Sequence, residues 1–187
     1  MKENPFNPSP VNFGNVLGVL EDMQDAGIIE KFSIGGAVAA ILHYEPISTI
    51  DLDIFFFLAD KSENSILSLT KIYDYAASRG FSLDHEFINI HGWLVQFIEA
   101  SQSPLWTEAI EKAELMTIEN FQVLVIGREH LAAMWIFAGR KKDIQKIEMF
   151  DEARIMNAGI LYDILLRHNL LTNWRQQQHN FSDEYQF

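Results

Sequence analysis

The chain has 187 residues, 48% hydrophobic and 21% charged, the proportions of an ordinary globular protein with one domain or two small lobes. Fourteen basic against 26 acidic side chains leave a net charge of −12, which disfavours a polynucleotide partner, because nucleic-acid binders present a basic face to the phosphates. With no cysteine there is no disulfide framework and no thiolate chemistry, and no apolar run approaches bilayer-spanning length. The opening MKENPFNPSP is polar and Pro-rich, unlike a signal peptide. With no cysteine, a reducing cytoplasm is the expected location, and no membrane partner is expected.

Apolar residues at Val16, Leu17, Val19, Leu20 and Met23 predict a helix over residues 11–26, stopped by Gly27. Residues 31–34 read as a strand. Residues 36–44 read as a helix that Pro46 prevents from continuing. A second strand covers residues 51–58. Its run from Ile54 to Leu58 is wholly apolar, as in a strand buried on both faces. An amphipathic helix over 62–79 ends at Gly80. Residues 81–90 and 93–99 read as two strands of a hairpin turning at His91-Gly92. Next come a helix over 105–114, a strand over 121–126, and helices over 129–137, 143–150, 159–168 and 170–177. The turn-like SQSP at 101–104 suggests a boundary. The expected fold is α/β (α+β): a mixed sheet flanked by helices over residues 1–100, and a mainly helical part over 101–187 packed on it.

The informative stretch is FSIGGAVAAILHYEPISTIDLDIFFFL, residues 32–58. Asp51 and Asp53 lie two apart in a strand, so both carboxylates project to one side. A buried strand that opens with two same-side carboxylates needs an offsetting charge. A divalent cation is the usual answer, and Mg²⁺ takes one or two carboxylates plus substrate phosphates. Gly35-Gly36, between a strand and a helix, lets backbone N–H groups approach a phosphate at the positive helix end. Taken alone, the pair reads equally as a tight turn. Arg140-Lys141-Lys142 is the one dense basic run, and by itself it reads as a solvated turn.

A Gly-Gly turn, one helix and an Asp-x-Asp strand together resemble the DNA polymerase beta-like nucleotidyltransferase superfamily. GGAVAAILHYEPISTIDLDI further resembles the toxin-like AbiEii-type branch, with Thr49 at its Ser/Thr position two before the first Asp. REHLAAMWIFAGRKKDIQKI resembles the same branch's helix and Arg-x-Lys-Asp signature, here Arg140, Lys142 and Asp143. The likeness covers residues 32–150. It implies transfer of a nucleoside monophosphate from an NTP to a hydroxyl, with Mg²⁺ or Mn²⁺ on Asp51 and Asp53. Gly35, Gly36 and Thr49 would lie at the nucleotide, and Arg140 and Lys142 would neutralise phosphate charge. It also implies a role in a toxin–antitoxin pair, with a cognate antitoxin or other partner protein. On charge, a protein or small-molecule acceptor is favoured over RNA.

Three positions depart from the branch's pattern. Gln96 stands where a third carboxylate is usual, and an amide is no base near neutral pH. Trp135 stands at a lysine position and Ile47 at an arginine position. Glu99 falls on the opposite strand face from Gln96, whereas Asp84 and Glu86 share a face on the preceding strand and are the candidates to substitute. The second reading is therefore a catalytically degenerate member that binds a nucleotide or a partner protein. His85, Glu86 and His91 fit no zinc spacing and read as strand and hairpin residues. His43 reads as a cap on the last turn of its helix.

Overall fold

The computed structural model describes residues 13–44, 49, 51–59, 65–177, 181, 185 and 187, and of residues 65–68 the backbone only. The first helix, α1 (Phe13–Asp25), leads into β1 (Ile29–Ile34), α2 (Gly36–His43) and β2 (Asp51–Leu58). Then follow α3 (Ser65–Ser78), β3 (Ser82–Asp84), β4 (Phe87–Ile90) and β5 (Trp93–Glu99). A 3-10 turn at Ala100–Gln102 joins β5 to α4 (Pro104–Glu111), which precedes β6 (Glu114–Ile118) and β7 (Phe121–Val125). Four helices close the chain: α5 (Arg128–Ala138), α6 (Lys141–Glu152), α7 (Ala158–Arg167) and α8 (Leu171–Gln177). Pro46 and Ile47 lie outside the described residues.

The strands form one mixed sheet in the order β3-β4-β5-β2-β1-β7-β6. At its centre β2 runs antiparallel to β1 and parallel to β5, and β7 runs parallel to β1. The mixed α/β architecture agrees with the sequence expectation. Leu52, Ile54 and Phe56 of β2 are buried on one face, where Phe56 meets Phe97 edge-on at 6.1 Å and Phe13 of α1 meets Trp93 at 5.0 Å. Asp51, Asp53 and Phe55 alternate onto the other face, under α4 and α5. The sheet takes β6 and β7 from beyond the turn-like SQSP, so the helical second half also completes the sheet.

Two expectations of local structure differ. Residues 81–90 form β3 and β4, not one strand, because the chain reverses at His85-Glu86 with His85 at φ 56°. Histidine tolerates that left-handed region better than most residues, but it signals a turn far more weakly than Asn-Gly does. The expected His91-Gly92 hairpin is present, with both residues at positive φ. The helix expected over 105–114 ends at Glu111, and β6 follows. In β6 no residue is fully buried, so its hydrophobic alternation is weak.

Candidate active site

The end of β1 and the start of β2 are antiparallel neighbours, Ile34 opposite Ile54. That pairing brings the turn after β1 against Asp53. Gly35 N–H donates to the Asp53 backbone carbonyl at 2.9 Å. A Cβ on Gly35 would sit 2.5 Å from the Phe55 ring. Gly36 begins α2 at φ +58°, and a Cβ there would collide with the Asp53 carboxylate. Both glycines are thus required sterically. The Asp53 carboxylate lies against the head of α2, where first-turn N–H groups have no intrahelical partner.

Asp51 is exposed at the mouth of the site, and Asp53 is partly covered. Burial pushes the Asp53 carboxyl above its ordinary range, and the like charge of Asp51 adds to this. The cations Lys146 and Arg140 act in the opposite sense. Thr49 accepts from Asp51 N–H at 3.2 Å, which fixes how the chain enters β2.

The cations come from α6. Arg140 is its N-cap residue, and Asp143, fully buried in the first turn, receives Arg140 Nε and Lys146 Nζ, the latter at 2.9 Å. The Lys146 ammonium also lies 5.1 Å from the centre of the Trp135 ring. Trp135 is the position at which a lysine was the resemblance's expectation, and the charge beside it comes from Lys146 instead. Lys142 is exposed on the first turn of α6, and it is Lys146 and Arg140 whose charges act on Asp53. Sequence reasoning missed Lys146. Its signal was the Asp143/Lys146 spacing of three, which puts both on one helix face.

Asp53 opens onto a cavity of about 280 Å³ between the sheet and α4 and α5. Its walls are apolar, with Phe55, Ile98, Trp106, Met134 and Trp135 prominent, and Trp106 meets Phe55 edge-on at 5.8 Å. Its polar rim consists of Gly36, Asp53, Gln96 and Arg140. Gln96 is in register with Asp53 on the neighbouring parallel strand, so both side chains share a face.

Asp84 and Glu86 do not substitute for a third carboxylate. Register runs Asp84–Phe87–Gln96–Asp53 across four strands, three spacings or about 14 Å from end to end, too far to share a cation. Glu86 belongs to the β3–β4 turn. Glu99 faces away and caps the 3-10 turn by accepting from Ser101 N–H and Oγ–H. His43 stands in the last turn of α2, and its Nε2–H donates to the Ile126 carbonyl at 2.8 Å, tying α2 to the chain beyond β7. Among the described residues no group of three or more His, Asp or Glu is placed to hold a metal. Asp51 and Asp53 offer two carboxylates on one strand face, a donor set that fits a hard cation taking its other ligands from elsewhere.

No protein-family model and no curated protein matches the sequence. Solved structures do match. An antigenic nucleotidyltransferase-like protein from Paracoccidioides brasiliensis superposes with a TM-score of 0.57 at 14% identity, over 91% of this chain and 90% of that one. The antibiotic-resistance factor ANT(2'')-Ia in solution gives 0.53 at 14%, over 88% and 96%. The same factor in complex with adenylyl-2''-tobramycin gives 0.51 at 13%, over 82% and 95%. The chain has the nucleotidyltransferase-like fold. No helix among the described residues is long and apolar enough to cross a membrane.

Proposed function

We propose that this chain is a nucleotidyltransferase, moving a nucleoside monophosphate from an NTP to an acceptor hydroxyl. The observation that carries the reading is the Asp53 carboxylate lodged against Gly36 at the head of α2, with its charge raised in cost by burial and by Asp51. A structural role alone does not account for two like charges gathered there. Mg²⁺, or Mn²⁺, would be held by Asp51 and Asp53, and when bound it supplies charge neutralisation for the attacking and leaving oxygens. Gly36 and the first turn of α2 give N–H donors to the triphosphate. Arg140 faces the rim as a phosphate donor, while Lys142 is free to meet the outer phosphates. Thr49 orients Asp51, and Gly35 sets the turn so that Asp53 stays at the head of α2.

The toxin-like role, with a cognate antitoxin, rests on the resemblance of residues 32–150 to the AbiEii-type branch. The second reading is a degenerate member that binds a nucleotide or a partner protein without transfer, and Gln96 in place of a carboxylate favours it. Calorimetry with each NTP, with and without Mg²⁺, tests the proposal on wild type and on an Asp51→Ala, Asp53→Ala double variant. Metal-dependent binding that the double variant loses supports it. No binding of any NTP at millimolar concentration contradicts it and leaves partner binding as the function.

A further inference from the structure

We propose that the Gln96 carboxamide binds the substrate, donating from Nε2 to a non-bridging oxygen of the α-phosphoryl group that is transferred. The inference rests on the nucleotidyltransferase reading and gives its triphosphate a direction across the site. Sheet order carries it. The central run is β5-β2-β1, so Asp53 of β2 has the turn after β1 on one flank and β5 on the other. Gly36 and the head of α2 stand on the β1 flank, against the Asp53 carboxylate. Gln96 stands on the β5 flank, in register with Asp53 and on the same face, one strand spacing or about 4.8 Å away. Phosphates that start at the head of α2 and cross the Asp53 carboxylate therefore end beside Gln96.

The two flanks differ in room, and the difference sets the direction. On the β1 flank the backbone is packed tight: a Cβ on Gly35 would meet the Phe55 ring, and one on Gly36 the Asp53 carboxylate. That space admits phosphate oxygens against N–H groups and little more. On the β5 flank the cavity of about 280 Å³ continues past Gln96 to Ile98 of the same strand and Trp106 of α4. The γ end of a triphosphate carries nothing further. The α end carries the nucleoside and must also meet the acceptor. Whichever of these two fills the cavity, the α end belongs on the open flank and the pyrophosphate at the head of α2. The residue type fits the contact. An amide has two N–H donors and no charge, so it can meet a phosphoryl oxygen directly. A carboxylate at the same place has no donor and would add a third like charge beside Asp51 and Asp53. Among the described residues the half-buried Gln96 carboxamide has no hydrogen-bond partner.

Calorimetry with Mg²⁺ tests this on wild type, Gln96→Met and Gln96→Glu, each checked for folding by thermal melting. The probes are an NTP, its two α-thio diastereomers and its γ-thio analogue. Loss of a hydrogen bond to a charged group should weaken NTP binding about 10- to 100-fold in Gln96→Met. Gln96→Glu, nearly isosteric but acceptor-only, should bind more weakly still. Sulfur is a poor acceptor. In wild type one α-thio diastereomer should therefore bind more weakly than the NTP, and in Gln96→Met that penalty should disappear. The γ-thio analogue should stand in the same ratio to the NTP in both proteins. NTP binding at wild-type strength in either variant overturns the inference, as does an α-thio penalty that Gln96→Met leaves unchanged. Loss of a γ-thio penalty in place of the α-thio one reverses the triphosphate and overturns it too. No NTP binding by wild type overturns the nucleotidyltransferase reading and this one with it.

Discussion

Two partly covered carboxylates meet opposite fates in this fold. Glu108 of α4 lies among donors: Arg167 Nη2, His168 Nε2 at 2.7 Å and His130 Nε2 at 3.3 Å. Those bonds, Arg167 first, outweigh burial and hold its carboxyl at about 2, below the ordinary value of 4.5. Asp53 is desolvated by burial and meets the like charge of Asp51, and its carboxyl is pushed up. Glu108 clasps α4, α5 and α7 together, and its charge is satisfied from within. On the proposed function, the charge of Asp53 is held for a ligand from outside. An uncompensated charge at the candidate site and a saturated one at a structural clasp are what the difference teaches.

The comparison breaks most visibly at Asp143, a buried carboxylate near the candidate site that is paired internally with Arg140 and Lys146. Asp143→Ala is expected to cost about 3–5 kcal/mol in urea unfolding, since it leaves Lys146 part-buried without its partner. A loss under about 1 kcal/mol would remove Asp143 from the structural class. Gly36→Ala should cost about 2–3 kcal/mol, combining the left-handed backbone with the collision at Asp53, and should also abolish NTP binding. Retained binding would mean that the head of α2 does not meet the nucleotide.

Glu108→Gln is expected to cost about 1–2 kcal/mol at neutral pH, because the exposed Arg167 arm is screened by solvent. The sign follows from the lowered carboxyl. Its stabilisation is fully present above 4.5 and is lost as pH falls through about 2. Acid unfolding curves should therefore converge for wild type and variant at the acid end. The smallest effect sharpens the contrast. Asp53→Asn should raise stability at neutral pH by under about 1 kcal/mol, because the raised carboxyl penalises the ionised form. That gain should vanish as pH falls below the ordinary carboxylate range, where wild-type Asp53 is protonated in both states.

The core strands and Asp51/Asp53 were legible because DLDIFFFL carries both an alternation and a buried run within eight residues. The turn at Gly35-Gly36 was legible because glycine marks both close approach and positive φ. The His85-Glu86 reversal and β6 were not legible. A positive-φ histidine and an edge strand with little burial leave almost no pattern in one dimension. The site was half legible. The carboxylate pair is local in sequence, whereas Lys146 reaches it only through the packing of α6 against α5. The cavity was invisible, because Phe55, Ile98, Trp106 and Trp135 converge from β2, β5, α4 and α5. The Glu108 clasp was invisible for the same reason, its partners being 22, 59 and 60 residues away.

The most direct test is a set of thermal melts of wild type, Asp53→Asn and Glu108→Gln, each with and without NTP and Mg²⁺. Ligand should raise the melting temperature of wild type and Glu108→Gln by the same increment. Asp53→Asn should start at or above wild type and show no increment. If Asp53→Asn melts below wild type, or gains the full ligand increment, Asp53 is a structural carboxylate like Glu108 and the account is contradicted.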